Sequence, residues 1–195
     1  EYKMKRFFES NGMHIRGLVV SEYCDTYSHW NAKESLSSWM VRNKVPGISG
    51  IDTRQLTQKL REHGVMLGQI VANGKVPKKE IADPNKENLV DQVSITKPIE
   101  YRVAGAKKTI VAFDTGMKNN ILRSFLERKV NVIRVPWNYK IWNSKYKFDG
   151  LFFANGPGDP ASLHETHAVI KTAFEKRVPT FGICLGIQVM AIAAG

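Results

Sequence analysis

The stretch that decides the fold is Phe181-Gly182-Ile183-Cys184-Leu185-Gly186. A lone cysteine stands between two glycines, after an apolar run typical of a strand and before an apolar run typical of a helix. This strand–turn–helix pattern is typical of a nucleophile elbow, in which a tight turn exposes the reactive side chain. The N–H groups that open the following helix would stabilise a thiolate and bind an oxyanion. A buried cysteine in a glycine-rich turn is the alternative interpretation.

The composition is that of an ordinary globular protein, with 43% hydrophobic and 24% charged residues in a chain of 195. The net charge of +11 is spread along the chain without a long basic run. We therefore expect no nucleic-acid partner, and no apolar run has the length of a membrane span. The only cysteines, Cys24 and Cys184, do not suggest a disulfide framework. An intracellular location is expected, with the cytoplasm favoured and the mitochondrion as the alternative.

The first part of the chain, residues 1–100, predicts a smaller mixed α/β domain. Asp52 has the position of a helix N-cap and Gly64 that of a C-terminal stop, so a helix is expected between them. The other predicted elements here are a strand at 15–20, a helix at 35–41 and a strand at 67–72. Residues 97–108 are polar and contain proline and glycine, which is typical of a linker, and we place the linker at 101–108.

The last part of the chain, residues 109–195, alternates strand and helix patterns. The predicted strands and helices are, in order, 109–113, 118–128 (helix), 130–135, 150–154, 162–176 (helix) and 180–183. Such alternation predicts a parallel sheet of the α/β class with right-handed crossovers. Functional sites in such sheets form at the carboxyl ends of the strands.

A second motif follows the strand predicted at 150–154 and reads Asn155-Gly156-Pro157-Gly158-Asp159-Pro160. Glycine lets a backbone N–H approach a bound group, and proline stiffens the loop. An ordinary strand-to-helix turn is the alternative interpretation. Because this loop and the elbow follow strands of one predicted parallel sheet, both should open at the same edge. A cysteine nucleophile with two sets of backbone donors suits acyl transfer from an amide.

These two motifs, FGICLGIQ (181–188) and ANGPGDP (154–160), resemble the class I glutamine amidotransferases. Further stretches narrow the resemblance to the small subunit, or the N-terminal region, of carbamoyl-phosphate synthetase. They are PGISGIDTRQLTQKLREHG (46–64), MLGQI (66–70), DPNKENLV (83–90) and AFDTGMKNNILR (112–123). The resemblance is closer to the eukaryotic fused enzymes, and it implies a small-subunit N-terminal domain at 1–100 and an amidotransferase domain at 109–195.

The resemblance implies a role for five residues. Cys184 would attack the side-chain amide of L-glutamine, form a γ-glutamyl thioester and release ammonia. The backbone N–H groups of Leu185 and Gly156 would hold the oxyanion. Gly158 and Gln188 would help to position the glutamine.

The resemblance also implies a partner, which is the synthetase large subunit or a fused synthetase domain. That partner would use ATP, Mg and bicarbonate together with the released ammonia to make carbamoyl phosphate. No cofactor is expected within this chain, since no phosphate-cradling glycine-rich motif with a lysine is visible.

Two departures from the family pattern bear on activity. The family places a general-base His, and a Glu two residues beyond it, far downstream of the cysteine, whereas this chain ends eleven residues after Cys184. We therefore interpret the chain as a fragment, incomplete at the start of its first domain and at the end of its second, and expect it to be inactive alone. The family also has a His where this chain has Ile187, which could simply fill a buried niche. The alternative function is an impaired module that only stabilises an ammonia-dependent synthetase.

Three other polar residues are open to interpretation. His164 and His167 lie three apart on the helix predicted after the Gly-Pro loop, but two histidines by themselves make a poor metal site. We expect both on the surface and predict no metal. Asp114, at the end of a predicted strand, is either functional or a cap for the following helix.

Overall fold

The computed structural model describes residues 7–72, 74 and 81–195. These residues divide into two compact units. One, which we call the small unit, is Asn11–Asp83, and the other, the sheet unit, contains residues 7–10 and 84–195. Of the helices in the described ranges, none has both the length and the apolar character needed to cross a bilayer.

The small unit contains β1 (Leu18–Val19), α1 (Leu36–Arg42), β2 (Gly47–Ile48) and α2 (Thr53–His63). The N-cap prediction for α2 is confirmed, because the Asp52 carboxylate accepts a hydrogen bond from the Gln55 N–H at 2.9 Å. The helix ends at Gly64, as predicted, with a φ of +76° that suits glycine. The helix predicted at 35–41 is confirmed as α1.

The strands of the small unit are shorter than predicted. The strand expected at 15–20 is reduced to β1, which pairs in parallel with β2 over two residues. The strand expected at 67–72 is wrong, since these residues adopt no regular structure. Leu67 there is exposed, and no described strand pairs with the segment, so its apolar residues lack the partner that a strand requires.

The sheet unit has the alternating architecture that the sequence predicts. Its elements are α3 (Leu89–Val93), β3 (Ile99–Tyr101), β4 (Lys108–Asp114), α4 (Asn119–Glu127), β5 (Val130–Pro136), β6 (Gly150–Phe153), α5 (His164–Glu175), β7 (Thr180–Gly182) and α6 (Leu185–Ala194). The strand order is β3-β5-β4-β6-β7, with β3 antiparallel to β5 and the other pairs parallel. From β4, the strand that follows in the chain, β5, lies on one side and the next, β6, lies on the other. The order of the strands therefore reverses between β4 and β6, and ligand sites in such sheets form at a point of this kind.

The structure places the division between its units earlier in the chain than the predicted linker at 101–108. Tyr101 is buried and belongs to β3, which adds an antiparallel edge strand to β5. The N–H of Val103 donates to the side-chain oxygen of Asn131 at 2.9 Å. Residues 84–108 are therefore held in the sheet unit by pairing and hydrogen bonds, and the compact units divide near Asp83.

Alternate side chains of the sheet build two apolar layers, one on each face. One layer joins Val111, Phe113, Ile133, Val135, Leu151 and Phe153 to Leu163, Ile170, Leu185 and Val189 on the α5 and α6 side. The other joins Ala112, Val132 and Phe152 to Leu122 of α4. The sheet is thus covered on both faces, which explains why its strands are nearly continuous apolar runs.

Candidate active site

The elbow forms as predicted between β7 and α6. Cys184 has a φ of +54°, a left-handed conformation that costs a non-glycine residue energy, and its side chain is exposed. Gly186 is required by close packing, because a Cβ there would lie 2.1 Å from the Phe153 carbonyl oxygen. The turn therefore holds the thiol outward while the backbone behind it presses against β6.

The first turn of α6 surrounds Cys184 with backbone groups. The N–H groups of Ile187 and Gln188 donate to the Cys184 carbonyl at 3.0 and 3.3 Å. The N–H of Leu185, the first residue of the helix, has no intrahelical acceptor, because the first N–H groups of any helix lack one. A donor is therefore available one residue from the sulfur.

The glycine loop after β6 lies against the elbow. A Cβ at Gly156 would lie 1.9 Å from the Thr115 carbonyl oxygen and 2.9 Å from Cδ2 of Leu185. No side chain fits at this position, and the loop backbone is in contact with the residue that follows the nucleophile. The structure thus brings together Cys184, Leu185 and Gly156, as the sequence predicts.

Comparison with known families accounts for most of the chain. Residues 2–70 match the family model of the carbamoyl-phosphate synthase small chain, CPSase domain, and residues 110–195 match that of the class-I glutamine amidotransferases. The chain contains a carbamoyl-phosphate synthase small-chain domain followed by a class-I glutamine amidotransferase domain. The elbow lies in the second of these domains.

Three relatives illustrate the similarity. The arginine-specific carbamoyl phosphate synthase small chain of Saccharomyces cerevisiae is 40% identical over 201 residues, which are 100% of this chain and 49% of that protein. The multifunctional protein CAD of Squalus acanthias is 42% identical over 198 residues, which are 100% of this chain and 9% of that protein. The multifunctional protein URA2 of Saccharomyces cerevisiae is 40% identical, covering 99% and 10%. The chain spans about half the length of the small chain and about a tenth of the multifunctional proteins.

Two residues that the sequence analysis did not identify connect the glycine loop to the turn after β4. The Thr115 hydroxyl lies 2.9 Å from the carbonyl oxygens of both Ala154 and Asn155, and it is buried. The Asn155 amide donates to the Gly116 carbonyl at 3.2 Å, and its oxygen accepts from the Lys118 N–H at 3.2 Å. The family's glycine loop is therefore anchored on the neighbouring strand's turn.

Asp114 has a structural role at that same turn. Its buried carboxylate accepts from the N–H groups of Gly116 at 3.1 Å and Met117 at 2.8 Å. It also accepts from the Ile95 N–H at 2.9 Å and pairs with the Arg134 guanidinium at 2.8 Å. Asp114 therefore caps backbone N–H groups, as the capping interpretation predicts. It caps the turn before α4 and not the helix itself, whose N-cap position is Lys118.

The residues expected to position glutamine lie on the same two segments. Gln188 is exposed in the first turn of α6, where its N–H bonds to Cys184. Gly158 is exposed two residues beyond Gly156, with a φ of +90°, and a Cβ there would lie 3.5 Å from Leu89. Both residues thus lie on the two segments that adjoin Cys184, and their role in positioning glutamine stays a prediction.

Ile187 does not fill a buried niche, which corrects that expectation. Its side chain is 58% exposed, because the buried face of α6 carries Leu185, Val189 and Ala193 and Ile187 points away from that face. An apolar side chain is thus presented to solvent three residues after the nucleophile, where the family pattern has a His.

His167 is buried, so the expectation that both histidines lie on the surface is correct only for His164. Burial lowers the pKa of His167 below its ordinary value, and the positive charge that His164 can carry lowers it further. The backbone at Pro160 accepts a hydrogen bond from the ring, while Nε2 is buried without a partner. In the described ranges, no three His, Cys, Asp or Glu side chains come together as a metal site would require.

Proposed function

We propose that this chain is the glutamine-hydrolysing part of a glutamine-dependent carbamoyl-phosphate synthase. One observation carries the proposal: an exposed cysteine with a φ of +54° lies at the end of β7, and the residue after it contacts Gly156. An elbow thiol with backbone donors on two sides suits attack on an amide. The similarity to small chains of this synthase supports the same reaction.

The proposed chemistry begins with attack of the Cys184 thiolate on the side-chain carbonyl carbon of L-glutamine. The carbonyl electron pair moves to oxygen, and the N–H groups of Leu185 and Gly156 bind the resulting oxyanion. Gly158 and Gln188 hold the substrate in place. Collapse of the intermediate breaks the C–N bond, the amine leaves with a proton as ammonia, and a γ-glutamyl thioester remains. Water then hydrolyses the thioester to glutamate and restores the thiol.

The proton needed at the leaving amine requires a general acid and base. His167 does not suit this role, because its ring is bonded to the backbone at Pro160 and its Nε2 is enclosed. We propose that a His and a Glu outside these 195 residues supply it in the full-length protein, as the resemblance implies. The chain alone is then expected to hydrolyse glutamine very slowly.

The released ammonia would pass to a synthetase partner that uses ATP, Mg and bicarbonate. That partner is either a separate large subunit or a fused domain, and the similarity both to small chains and to multifunctional proteins is compatible with either arrangement. We propose an intracellular location, in the cytoplasm in preference to the mitochondrion, which suits two cysteines that are both free.

A glutamine-mimicking chloroketone tests the proposal in the full-length protein with its partner. We expect one equivalent to label Cys184, glutamine to protect it, and glutamine-dependent synthesis to stop while ammonia-dependent synthesis continues. The exposed Ile187 favours a second function, in which the domain only stabilises an ammonia-dependent synthetase. Failure to label Cys184, with ammonia-dependent synthesis intact, would support that second function and contradict the first.

A further inference from the structure

We propose that Thr115 is a positioning residue for glutamine hydrolysis, because its hydroxyl sets the orientation of the Asn155–Gly156 peptide. The N–H of that peptide belongs to Gly156 and is one of the two oxyanion donors in the proposed function. The inference rests on that function for its catalytic consequence. Its structural part, the orientation of one peptide, stands separately.

The contact is between a buried hydroxyl and backbone oxygens. Oγ1 of Thr115 is 2.9 Å from the carbonyl oxygen of Ala154 and 2.9 Å from that of Asn155. Thr115 is only 2% exposed, so water does not compete freely for its hydroxyl. The single hydroxyl proton serves two successive carbonyls of the loop.

Peptide planarity passes this constraint on to the donor. The carbonyl of Asn155 and the N–H of Gly156 belong to one planar unit and point in opposite directions. Fixing the oxygen therefore fixes the direction of the N–H. The Thr115 hydroxyl, on one side of the loop, thus determines the direction in which the Gly156 N–H points on the other side.

Gly156 needs such support because it has no side chain to restrict its own conformation. The position cannot take one, since a Cβ would lie 1.9 Å from the Thr115 carbonyl oxygen. The carbonyl of Thr115 therefore leaves no room for a side chain at position 156. The hydroxyl of Thr115 restrains the peptide that contains the Gly156 N–H. The side chain of Asn155 supplies a second anchor, to Gly116 and Lys118.

Thr115 is itself held in place by the residues on either side of it. The Asp114 carboxylate accepts from the Gly116 and Met117 N–H groups and pairs with Arg134, so the turn around Thr115 has little freedom. A rigid support is what a positioning residue needs, because an error of about 1 Å in a catalytic group can cost on the order of 10²-fold in rate.

The test compares hydroxyl-bearing and hydroxyl-free variants in the full-length protein with its partner. Thr115→Val removes the hydroxyl at nearly constant volume, and Thr115→Ser keeps it. Thr166→Val is the matched control, because Thr166 is also buried and its hydroxyl donates to the Trp137 carbonyl at 2.9 Å, away from the loop. Measurements are kcat and KM for glutamine hydrolysis, ammonia-dependent synthesis and the melting temperature.

We expect Thr115→Val to lower kcat about ten-fold, less than the roughly 10²–10³-fold that loss of a whole oxyanion donor costs, with KM within about two-fold. Thr115→Ser should retain at least half of the activity. Thr166→Val should lower the melting temperature by a similar amount yet leave kcat unchanged. Ammonia-dependent synthesis should be preserved in all three. If Val perturbs folding, Thr115→Ala provides a hydroxyl-free variant that cannot clash.

The proposal is overturned if Thr115→Val and wild type have equal kcat, or if Ser is as impaired as Val. A crystal structure of Thr115→Val decides the structural part independently: we expect a rotated or doubly oriented Asn155–Gly156 peptide. A single wild-type orientation would refute it. If the wild type hydrolyses no glutamine, the proposed function fails, and the peptide orientation still decides whether Thr115 has the inferred role.

Discussion

Both units contain motifs that match family models, but the motif residues are packed differently in the two. In the sheet unit, Leu122 of α4 is fully buried, and Gly186 has a carbonyl oxygen where a Cβ would go. In the small unit, α2 has no buried residue, Leu60 is 39% exposed, and a Cβ at Gly68 would meet nothing within 4 Å.

This difference separates two reasons why a residue can belong to a family motif. In the sheet unit the unit's own geometry explains the motif, since the elbow glycine and the loop glycine fit only without side chains. In the small unit the similarity extends over residues 2–70, yet contacts within the unit leave the leucines of α2, Leu56 and Leu60, exposed. Changes in the sheet unit should therefore have large effects, and matched changes in the small unit should have small ones.

The largest expected contrast is between the two exposed cysteines. Cys184→Ala should lower glutamine-dependent synthesis in the full-length protein by on the order of 10³-fold or more, because the nucleophile is lost. Cys24→Ala in the small unit should change it less than about two-fold, since this cysteine lies outside the elbow. Steady-state assays with glutamine and with ammonia measure both. Equal losses in the two variants would contradict the assignment of Cys184.

The next contrast concerns buried and exposed leucines. Leu122→Ala in α4 should lower the free energy of unfolding by about 2–5 kcal/mol, because it leaves a cavity under the sheet. Leu60→Ala in α2 should cost about 0.5 kcal/mol, as is usual for surface positions. Urea denaturation of both variants gives the comparison. A cost at Leu60 as large as that at Leu122 would show that α2 packs more tightly than its exposure indicates.

The third contrast concerns glycines. Gly186→Ala should cost about 1–3 kcal/mol, because the new methyl group overpacks the Phe153 carbonyl and pushes α6 from β6. Gly68→Ala should be neutral or stabilise by up to about 1 kcal/mol, since the site is open and alanine restricts the unfolded chain. Chloroketone labelling of Cys184 should slow in the first variant only. Unchanged labelling and stability in Gly186→Ala would refute the close-packing argument.

The smallest expected effect is a dependence of stability on pH. The pKa of His167 is lowered in the folded state by burial and by His164, so the unfolded chain binds this proton more readily. Above about pH 6.5, the pKa of the unfolded chain, this part of the free energy of unfolding should be fully retained. It should decrease as the pH drops from there towards the lower pKa of the folded state. His167→Gln should remove this part of the slope. His63→Gln, at an exposed site in the small unit, should leave it unchanged.

The sequence was sufficient to predict the sheet and the elbow because both depend on strong local patterns. Apolar runs of strand length alternate with helical periodicity after residue 108, and the glycines on either side of Cys184 restrict the turn to one geometry. The loop at 154–160 was placed correctly for a related reason, since parallel strands of one sheet end at the same edge.

The remaining features depend on contacts that no local pattern reveals. Thr115 and Asn155 resemble ordinary turn residues, and only the pairing of β4 with β6 brings them together. β3 is a three-residue edge strand, too short to have a clear period, so it was not predicted and its last residue, Tyr101, was assigned to the linker. A buried niche was one interpretation of Ile187, but the helical register of α6 turns this side chain towards solvent.

The register of three strands has a consequence for protein engineering. Phe113, Phe153 and Gly182 are aligned across β4, β6 and β7, so the three following turns start at one level. A graft of the cysteine turn alone onto another scaffold would transfer the sulfur without the adjoining loop or the threonine beneath that loop. The smallest segment that can be transplanted is therefore the three strands β4, β6 and β7 with their register preserved. Shorter inserts should give a reactive thiol with no selectivity for carboxamides.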